Sequence, residues 1–167
     1  MVQALKAAGV HRVGSATVIG GGATAASTLA AVAKLGAHRV TVAVRTPERT
    51  LHLQELAAPL NLDVNVLPLG RLDALPRADV VVSTIPAQAQ ADLADVVVES
   101  TDVVFDVIYY PRLTPLLSAA TARGLLAIPG FELLLHQAGR QVELMTRTKV
   151  APLDEMRTAG LRALDSR

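Results

Sequence analysis

The chain has 167 residues, no cysteine and a net charge of +1, and 51% of its residues are apolar. This length suffices for one domain with a hydrophobic core, and the lack of cysteine excludes disulfides and thiolate chemistry. The basic residues are scattered, which argues against a nucleic-acid partner or an anionic membrane surface. No apolar run reaches the roughly 18 residues of a membrane span, and the first residues lack a signal-peptide pattern, so we expect a cytoplasmic protein.

Short apolar runs alternate with segments of helical periodicity along the chain. Six runs predict strands, at residues 16–19, 40–44, 62–67, 79–83, 103–107 and 125–128. Helical patterns cover residues 2–9, 23–35, 47–58, 115–124, 130–146 and 153–164. This alternation predicts an α/β fold, a doubly wound (Rossmann-type), mainly parallel six-stranded sheet with helices on both faces and strand order 3-2-1-4-5-6. We assign residues 1–149 to one domain, with 1–14 as a linking helix, and residues 150–167 to a C-terminal helix beside it.

The most informative stretch is residues 20–25, Gly-Gly-Gly-Ala-Thr-Ala, between the first predicted strand and the following helix. Gly20, Gly22 and Ala25 match the dinucleotide-binding fingerprint in its strand–turn–helix context. The first glycine permits a tight turn, the second lets a pyrophosphate approach the backbone, and the small third residue lets the helix pack closely. Free N–H groups at the helix start favour an anion. Three glycines can also form a simple flexible loop, so that alternative stays open.

The end of the second predicted strand indicates which dinucleotide binds. An acidic residue there favours NAD, whereas a basic residue accommodates the 2′-phosphate of NADP. Here Arg45 and Thr46 end the strand and Arg49 follows, without an acidic residue at the strand end. The two arginines can clamp a phosphate, with the Thr46 hydroxyl as a third donor, so we predict NADP. The alternative is a pair of solvated arginines, whose charges would oppose the helix dipole unless an anion binds.

Four segments, taken together, resemble the C-terminal, NADP-binding domain of shikimate dehydrogenase. The glycine-rich turn is the first, and residues 44–49 are similar to the family's Asn-Arg-Thr-x-x-Arg/Lys motif. Residues 106–109 and 114–117 resemble its Asp-x-x-Tyr and Thr-Pro-Leu-Leu segment. Residues 130–138 resemble its Gly-x-x-Met-Leu-x-x-Gln-Ala helix. Because all four occur in the family's order and spacing, the resemblance extends over nearly the whole chain.

The resemblance implies a role for each matching residue. Arg45, Thr46 and Arg49 would hold the adenosine 2′-phosphate, and the Gly130 carbonyl would accept from the nicotinamide carboxamide. The predicted cofactor-binding residues are Gly20, Gly21, Gly22, Ala23, Thr24, Arg45, Thr46, Arg49, Thr84, Ile85, Pro86, Val107, Gly130 and Leu133. Tyr109 would reach across the cleft to the substrate, and no metal site is predicted.

Gln137 is the second predicted substrate-binding residue, and both it and Tyr109 have a simpler interpretation. Gln137 lies among leucines on one helix face, where its amide needs a polar partner. A ligand can be that partner, but so can an internal backbone carbonyl. Tyr109, considered without the resemblance, is half of an exposed Tyr-Tyr-Pro turn.

The sequence departs from the family's pattern at Val44, at residues 83–86, at Glu132 and, mildly, at Leu133, which replaces a methionine of similar volume. Val44 replaces an asparagine, which puts one hydrogen bond on the adenosine side in question. Residues 83–86, Ser-Thr-Ile-Pro, replace Asn-Ala-Thr-Ser/Pro, and Glu132 replaces a small residue near the nicotinamide. We expect Glu132 to form a surface pair with His136, four residues further along the helix.

In this family the catalytic lysine and aspartate belong to an N-terminal substrate-binding domain, and no Lys–Asp pair here has that context. The resemblance therefore implies a fragment or truncated relative that binds NADP(H) with little or no turnover of its own. The intact enzyme would reduce 3-dehydroshikimate to shikimate with NADPH, a step of chorismate and aromatic amino acid biosynthesis. Two alternatives stay open: a non-catalytic NADP-sensing module, and the cofactor domain of a quinate dehydrogenase or glutamyl-tRNA reductase type of enzyme. The oligomeric state is left open.

Overall fold

The computed structural model describes residues 1–166, which contain seven α-helices and six β-strands. The strands are β1 (Ser15–Ile19), β2 (Arg39–Val44), β3 (Asp63–Pro68), β4 (Val80–Ser83), β5 (Val103–Asp106) and β6 (Leu126–Ile128). The helices are α1 (Val2–Ala7), α2 (Ala23–Lys34), α3 (Leu51–Ala57), α4 (Ala94–Glu99), α5 (Pro115–Ala122), α6 (Gly130–Thr146) and α7 (Leu153–Asp165). None of these helices is long and apolar enough to cross a membrane.

The six strands form one sheet in which every pair is parallel. Their order is β3-β2-β1-β4-β5-β6, which confirms the predicted doubly wound topology. Ile19 at the end of β1 lies beside Ala43 of β2 and Ser83 of β4. The carboxyl ends of these three strands therefore meet at one edge, where the strand order reverses and where open α/β sheets bind their ligands.

Helices cover both faces of the sheet, as predicted. Val18 and Val42 belong to an apolar cluster that includes residues of α1, α2 and α3, whereas Ile19 and Ala43 belong to a second cluster with α4 and α5. All four strand residues are 0% exposed. Since successive strand residues point to opposite faces, a strand that is buried on both faces is expected to be apolar at most of its positions. This preference produces the nearly continuous apolar runs of the sequence.

Three helical regions differ from the sequence-based prediction, and the first is the 3-10 segment Leu69–Ala74 between β3 and β4, where no helix was predicted. The helix predicted for residues 47–58 begins with a 3-10 turn, Pro47–Thr50, in which the Thr50 hydroxyl donates to the Pro47 carbonyl (2.6 Å). Between β4 and β5 the chain forms two short 3-10 turns and then α4, where no helix was predicted. The run Val96–Val98 in this helix is β-branched, so its intrinsic preference is for a strand, and packing against the sheet overrides that preference.

The C-terminal helix α7 packs against α6 through two glycines. A Cβ at Gly139 would lie 2.5 Å from the Leu153 side chain, and a Cβ at Gly160 would lie 2.8 Å from the Phe131 ring. Because neither glycine has a side chain, the two helices approach closely at both points.

Candidate functional site

The glycine-rich turn joins β1 to α2 at the carboxyl edge of the sheet. Gly20 has a φ of +111°, and a Cβ there would lie 2.3 Å from the Thr84 hydroxyl oxygen, so this position requires glycine. The Gly20 amide donates to the Ala43 carbonyl (2.8 Å), which fixes the turn to β2. Gly22 is different, because nothing lies within 4 Å of the place its Cβ would occupy. The backbone at Gly22 is therefore open to a ligand.

The N-terminus of α2 follows directly and is free of competing groups. Its N-cap, Gly22, offers no side chain, and its first turn, which includes Ala23 and Thr24, contains no acidic residue. Ala25 is fully buried, as the fingerprint requires of the residue that packs on the sheet. Unpartnered N–H groups at the start of a 12-residue helix suit a bound anion.

The turn after β2 presents the predicted phosphate-binding residues to solvent. Arg45, Thr46 and Arg49 are all exposed, and neither arginine has an ion-pair partner within residues 1–166. Val44 is only 5% exposed and lies so close to Gly21 that a Cβ there would be 3.1 Å from a Val44 methyl group. The valine that replaces the family's asparagine thus extends the apolar core up to the glycine-rich turn.

The loop after β4 lies beside this turn. The amide and the hydroxyl of Thr84 both donate to the Ile19 carbonyl, at 2.8 and 2.9 Å. These two bonds fix the start of the loop next to Gly20. Ile85 is half-buried and Pro86 is exposed, and neither residue lines the clefts that Thr24 borders.

Six of the predicted site residues line one small cleft of about 160 Å³. They come from the start of α2, the segment after β5 and the first turns of α6. The lining consists of Thr24, Val107, Tyr109, Gly130, Leu133, Leu134 and Gln137. The fold therefore brings both predicted substrate-binding residues together with four of the predicted cofactor-binding residues, and both Tyr109 and Gln137 are exposed.

Gly130 sets how closely α6 approaches the segment after β5. A Cβ at this position would lie 2.2 Å from the Val107 carbonyl oxygen and 2.5 Å from the carbonyl carbon of Ile108. Any side chain would push the two segments apart, since backbone atoms cannot move aside as a flexible side chain does. The shape of the small cleft thus depends on this glycine.

A larger cleft of about 690 Å³ adjoins the small one and shares Thr24, Leu133 and Gln137 with it. Its walls are α1, α2 and α6, and its volume suits a small organic ligand. Met1, Val2 and Gln3 form one end of it. The sequence predicts α1 as a helix but gives no indication that it borders the site.

A buried polar cluster lies beneath the loops that follow β4 and β5. Asp106 and Gln90 are both 0% exposed. One carboxylate oxygen of Asp106 accepts from the Gln90 amide (2.8 Å) and the Thr114 hydroxyl (2.5 Å), and the other accepts from the Ile108 amide (3.1 Å). Burial raises the pKa of Asp106, whereas the bonds from Thr114, Ile108, Gln90 and Ser83 act in the opposite direction. We call this group the Asp106–Gln90 cluster.

The sequence contains one signal for this cluster. Asp106 ends an apolar strand, and a carboxylate there must find hydrogen-bond donors if the strand is buried. The resemblance names Asp106 as part of a motif without a role. Gln90 lies in a polar stretch, Ala-Gln-Ala-Gln-Ala-Asp, where nothing distinguishes it from its neighbours.

The expected pair between Glu132 and His136 is wrong. Glu132 forms an ion pair with Arg157 of α7, and its side chain lines a pocket beside Tyr109 rather than the small cleft. His136 borders the large cleft, and burial lowers its pKa, while the charge of Glu132 acts in the opposite direction and that of Arg157 in the same one. A guanidinium stays charged at neutral pH, which favours arginine over a neutral imidazole as the partner of a carboxylate.

A protein-family model described as "NADP oxidoreductase coenzyme F420-dependent" matches residues 15–110, more than half of the chain. The matched part begins at β1 and ends just after β5. It includes the glycine-rich turn, the arginines after β2 and the loop after β4.

Curated relatives extend the match toward the C-terminus. The shikimate dehydrogenase (NADP(+)) of Nitrobacter hamburgensis is 35% identical over 158 residues, covering 90% of this chain and 54% of that protein. The protein of the same name from Archaeoglobus fulgidus is 31% identical over 156 residues, covering 90% of this chain and 57% of that protein. The chain thus spans about half the length of the curated relatives it matches.

Solved structures show the same relationship. The shikimate dehydrogenase of Mycobacterium tuberculosis superposes with a TM-score of 0.83 at 34% identity, covering 95% of this chain and 61% of that chain. A shikimate 5-dehydrogenase from Mycobacterium fortuitum gives a TM-score of 0.83 at 39% identity, covering 95% and 59%. The chain therefore belongs to the family described as NADP oxidoreductase coenzyme F420-dependent, and it is similar in sequence and in fold to about half of a shikimate dehydrogenase.

Proposed function

We propose that this chain binds NADP(H) along the carboxyl edge of its sheet and supplies the cofactor half of a shikimate dehydrogenase reaction. In that reaction NADPH reduces 3-dehydroshikimate to shikimate. The observation that carries the proposal is the small cleft, where Thr24 at the start of α2 meets Gly130 and Gln137 of α6. Doubly wound sheets bind dinucleotides at this edge, with the pyrophosphate at the first helix N-terminus.

The adenosine half of the cofactor fits the turn after β2. The guanidinium groups of Arg45 and Arg49 would hold the 2′-phosphate, with the Thr46 hydroxyl as a further donor. The open backbone at Gly22 and the N–H groups of Ala23 and Thr24 would accept the pyrophosphate. Arg45, Thr46 and Arg49 are exposed, and neither arginine has an ion-pair partner among the described residues, although Glu48 lies in the same turn.

The nicotinamide half fits the small cleft. Val107 and Leu133 would form its apolar walls, and the Gly130 carbonyl would accept from the carboxamide. When bound, NADPH supplies the hydride for the reduction. The residues of this chain orient the ring and exclude water from one of its sides.

The substrate would lie where the small cleft opens into the large one. The Tyr109 hydroxyl and the Gln137 amide can both donate hydrogen bonds to a hydroxyl or carboxylate group there. Reduction of a carbonyl also needs a proton donor for its oxygen. Among residues 1–166, the two clefts contain one lysine, Lys34, and no aspartate. The resemblance assigns proton transfer to a lysine and an aspartate of a separate substrate-binding domain, so we expect little turnover from this chain alone.

Calorimetric titration with NADP tests the proposal on three proteins: the unaltered chain, Arg45→Ala and Arg12→Ala. Arg45→Ala should weaken NADP binding at least about tenfold, because a charge-assisted bond contributes about 1.5–3 kcal/mol. Arg12 is also exposed and precedes β1, at the opposite edge of the sheet, so Arg12→Ala should leave the affinity unchanged. No binding by the unaltered chain, or equal losses in the two variants, would contradict the proposal.

A further inference from the structure

The loops after β4 and β5 are joined by two buried side chains. The Gln90 amide donates both to Asp106 (2.8 Å) and to the backbone carbonyl of Ile85 in the first loop (3.2 Å). Asp106 accepts from the backbone amide of Ile108 in the second loop (3.1 Å). An unbroken chain of hydrogen bonds therefore runs from one loop backbone to the other through Gln90 and Asp106.

The same side chains also hold the start of α5. The Thr114 hydroxyl donates to Asp106 (2.5 Å) and accepts from the Leu117 amide (3.4 Å) as the helix cap. The side-chain oxygen of Gln90 accepts from the Leu116 amide (3.4 Å). Every polar group of the cluster is thus directed at the backbone of a loop or a helix end, or at another member of the cluster.

The segment that Asp106 holds forms the wall of the small cleft. Val107 and Tyr109 line this cleft on either side of Ile108, whose amide is the donor to Asp106. The backbone of Val107 and Ile108 also lies against Gly130, which leaves no room for a Cβ there. A shift of Ile108 would therefore move both Val107 and Tyr109.

We propose that Asp106 and Gln90 are positioning residues. By fixing the loops after β4 and β5 relative to each other, they set the width of the nicotinamide side of the cofactor site. This rests on the proposed binding of NADP(H). A mixed polar pair in a fully buried position is poorly suited to filling a core, because each of its groups needs a partner. Its partners here are the loop backbones, so it acts on the position of those loops.

A purely structural role and a positioning role predict different losses of affinity. Adenosine 2′,5′-bisphosphate carries the phosphate for Arg45 and Arg49 but has no nicotinamide. A variant of the cluster that only lowers global stability would change the affinities for both ligands to the same extent, or change neither. A variant that allows the two loops to move should lower the affinity for NADPH and leave the affinity for the bisphosphate unchanged.

The test compares both ligands on the unaltered chain and on Gln90→Met, which keeps the side-chain volume but removes the donor and the acceptor. We expect NADPH to bind about tenfold more weakly, the loss of roughly one hydrogen-bonded contact, with bisphosphate affinity changed by less than about twofold. The emission of bound NADPH should also move toward that of the free form, as its nicotinamide becomes less enclosed.

Thr101→Val serves as the matched control. Thr101 is 1% exposed and its hydroxyl bonds to the Val103 backbone at the amino end of β5, away from both loops. Its loss should lower the melting temperature and leave both affinities unchanged. Asp106→Asn is the second variant if Gln90→Met does not fold, and it should show the same selective loss.

The outcomes separate the two proposals. If the unaltered chain binds neither ligand, the proposed function fails. If it binds both, and the cluster variants weaken both equally or neither, the positioning role is overturned while the cofactor site stands. Selective loss of NADPH supports both.

Discussion

The two halves of the proposed cofactor site are built in opposite ways. On the adenosine side, Arg45 and Arg49 lie exposed on a turn after β2, without an ion-pair partner among residues 1–166. On the nicotinamide side, the cleft wall is held from below by Asp106 and Gln90, which are 0% exposed and bonded to loop backbones. The adenosine side thus offers solvent-exposed charges to a ligand, and the nicotinamide side offers a cleft whose walls are fixed in position.

This difference determines what each half can do. A solvated arginine pair contributes little to the fold, so it can be altered without unfolding the protein, and it selects a ligand through charge. A buried network holds backbone positions, so it selects a ligand through geometry and affects stability when it is altered. Substitutions in the two halves should therefore separate binding from stability.

The largest effect is expected from Gly130→Ala on the nicotinamide side. A methyl group would lie 2.2 Å from the Val107 carbonyl oxygen, so α6 and the segment after β5 must separate. We expect the free energy of unfolding to fall by about 3 kcal/mol, with loss of NADPH binding. Urea denaturation followed by circular dichroism measures the change. Gly70→Ala, where nothing lies within 4 Å, is the control, and an unchanged stability at Gly130→Ala would contradict the close approach.

Gly22→Ala should weaken NADP binding without lowering the stability of the fold. Nothing lies within 4 Å of the added methyl group and φ is −90°, so the fold should keep its stability. The methyl group would occupy the space through which a pyrophosphate approaches, and we expect NADP affinity to fall about tenfold. Calorimetric titration beside a melting curve measures both. Unimpaired binding would show that the phosphates do not approach the backbone at Gly22.

The Asp106–Gln90 cluster predicts a smaller, pH-dependent effect. Burial raises the pKa of Asp106 above its ordinary value of 3.8, so folding disfavours its charged form. The contribution of this group to stability is therefore present below the unfolded pKa and is lost as the pH rises through the folded pKa. The side chain of the Asp106→Asn variant does not ionise, so the variant lacks this pH-dependent contribution.

The free energy of unfolding of Asp106→Asn, relative to the unaltered chain, should therefore rise as the pH increases from about 3.8. Denaturation at a series of pH values measures this difference, in which the contributions of other carboxylates cancel. A difference that stays constant, or that falls with pH, would mean that Asp106 is not held in a disfavoured charged form.

The smallest effect is expected at the ion pair between Glu132 and Arg157, whose side chains are 19% and 35% exposed. Because solvent screens a partly exposed pair, Arg157→Ala should lower the free energy of unfolding by about 1 kcal/mol or less. It also leaves the Glu132 carboxylate without its partner near the nicotinamide side. Arg112→Ala breaks the more exposed pair with Asp165 and should have less effect in the same denaturation experiment. A larger loss from Arg112→Ala would reverse this ranking.

Much of the fold follows from local signals in the sequence. Strands buried on both faces are apolar at most positions, so a run such as the three valines of β4 can be recognised as a strand from the sequence. Gly20 is required by its positive φ, and Ala25 by its burial against the sheet, so the glycine-rich turn can also be predicted from the sequence. The strand order then follows from the usual way in which such units wind.

The parts that the sequence does not predict depend on partners far apart in the chain. Gln90 and Asp106 come together only because β4 and β5 are neighbours in the sheet. Glu132 finds Arg157 only because α7 packs against α6, which a search for partners within one helix misses. The small cleft likewise combines segments that only the finished fold brings together.

Parallel calorimetric titrations of the chain with NADP and NAD, repeated on Arg45→Ala, test the account most directly. We predict that NADP binds at least about tenfold more tightly than NAD and that Arg45→Ala removes most of this preference, since the two ligands differ only in the 2′-phosphate. Equal affinity for the two ligands, or no binding of either, would contradict the assignment of the exposed arginines as the adenosine side of an NADP site.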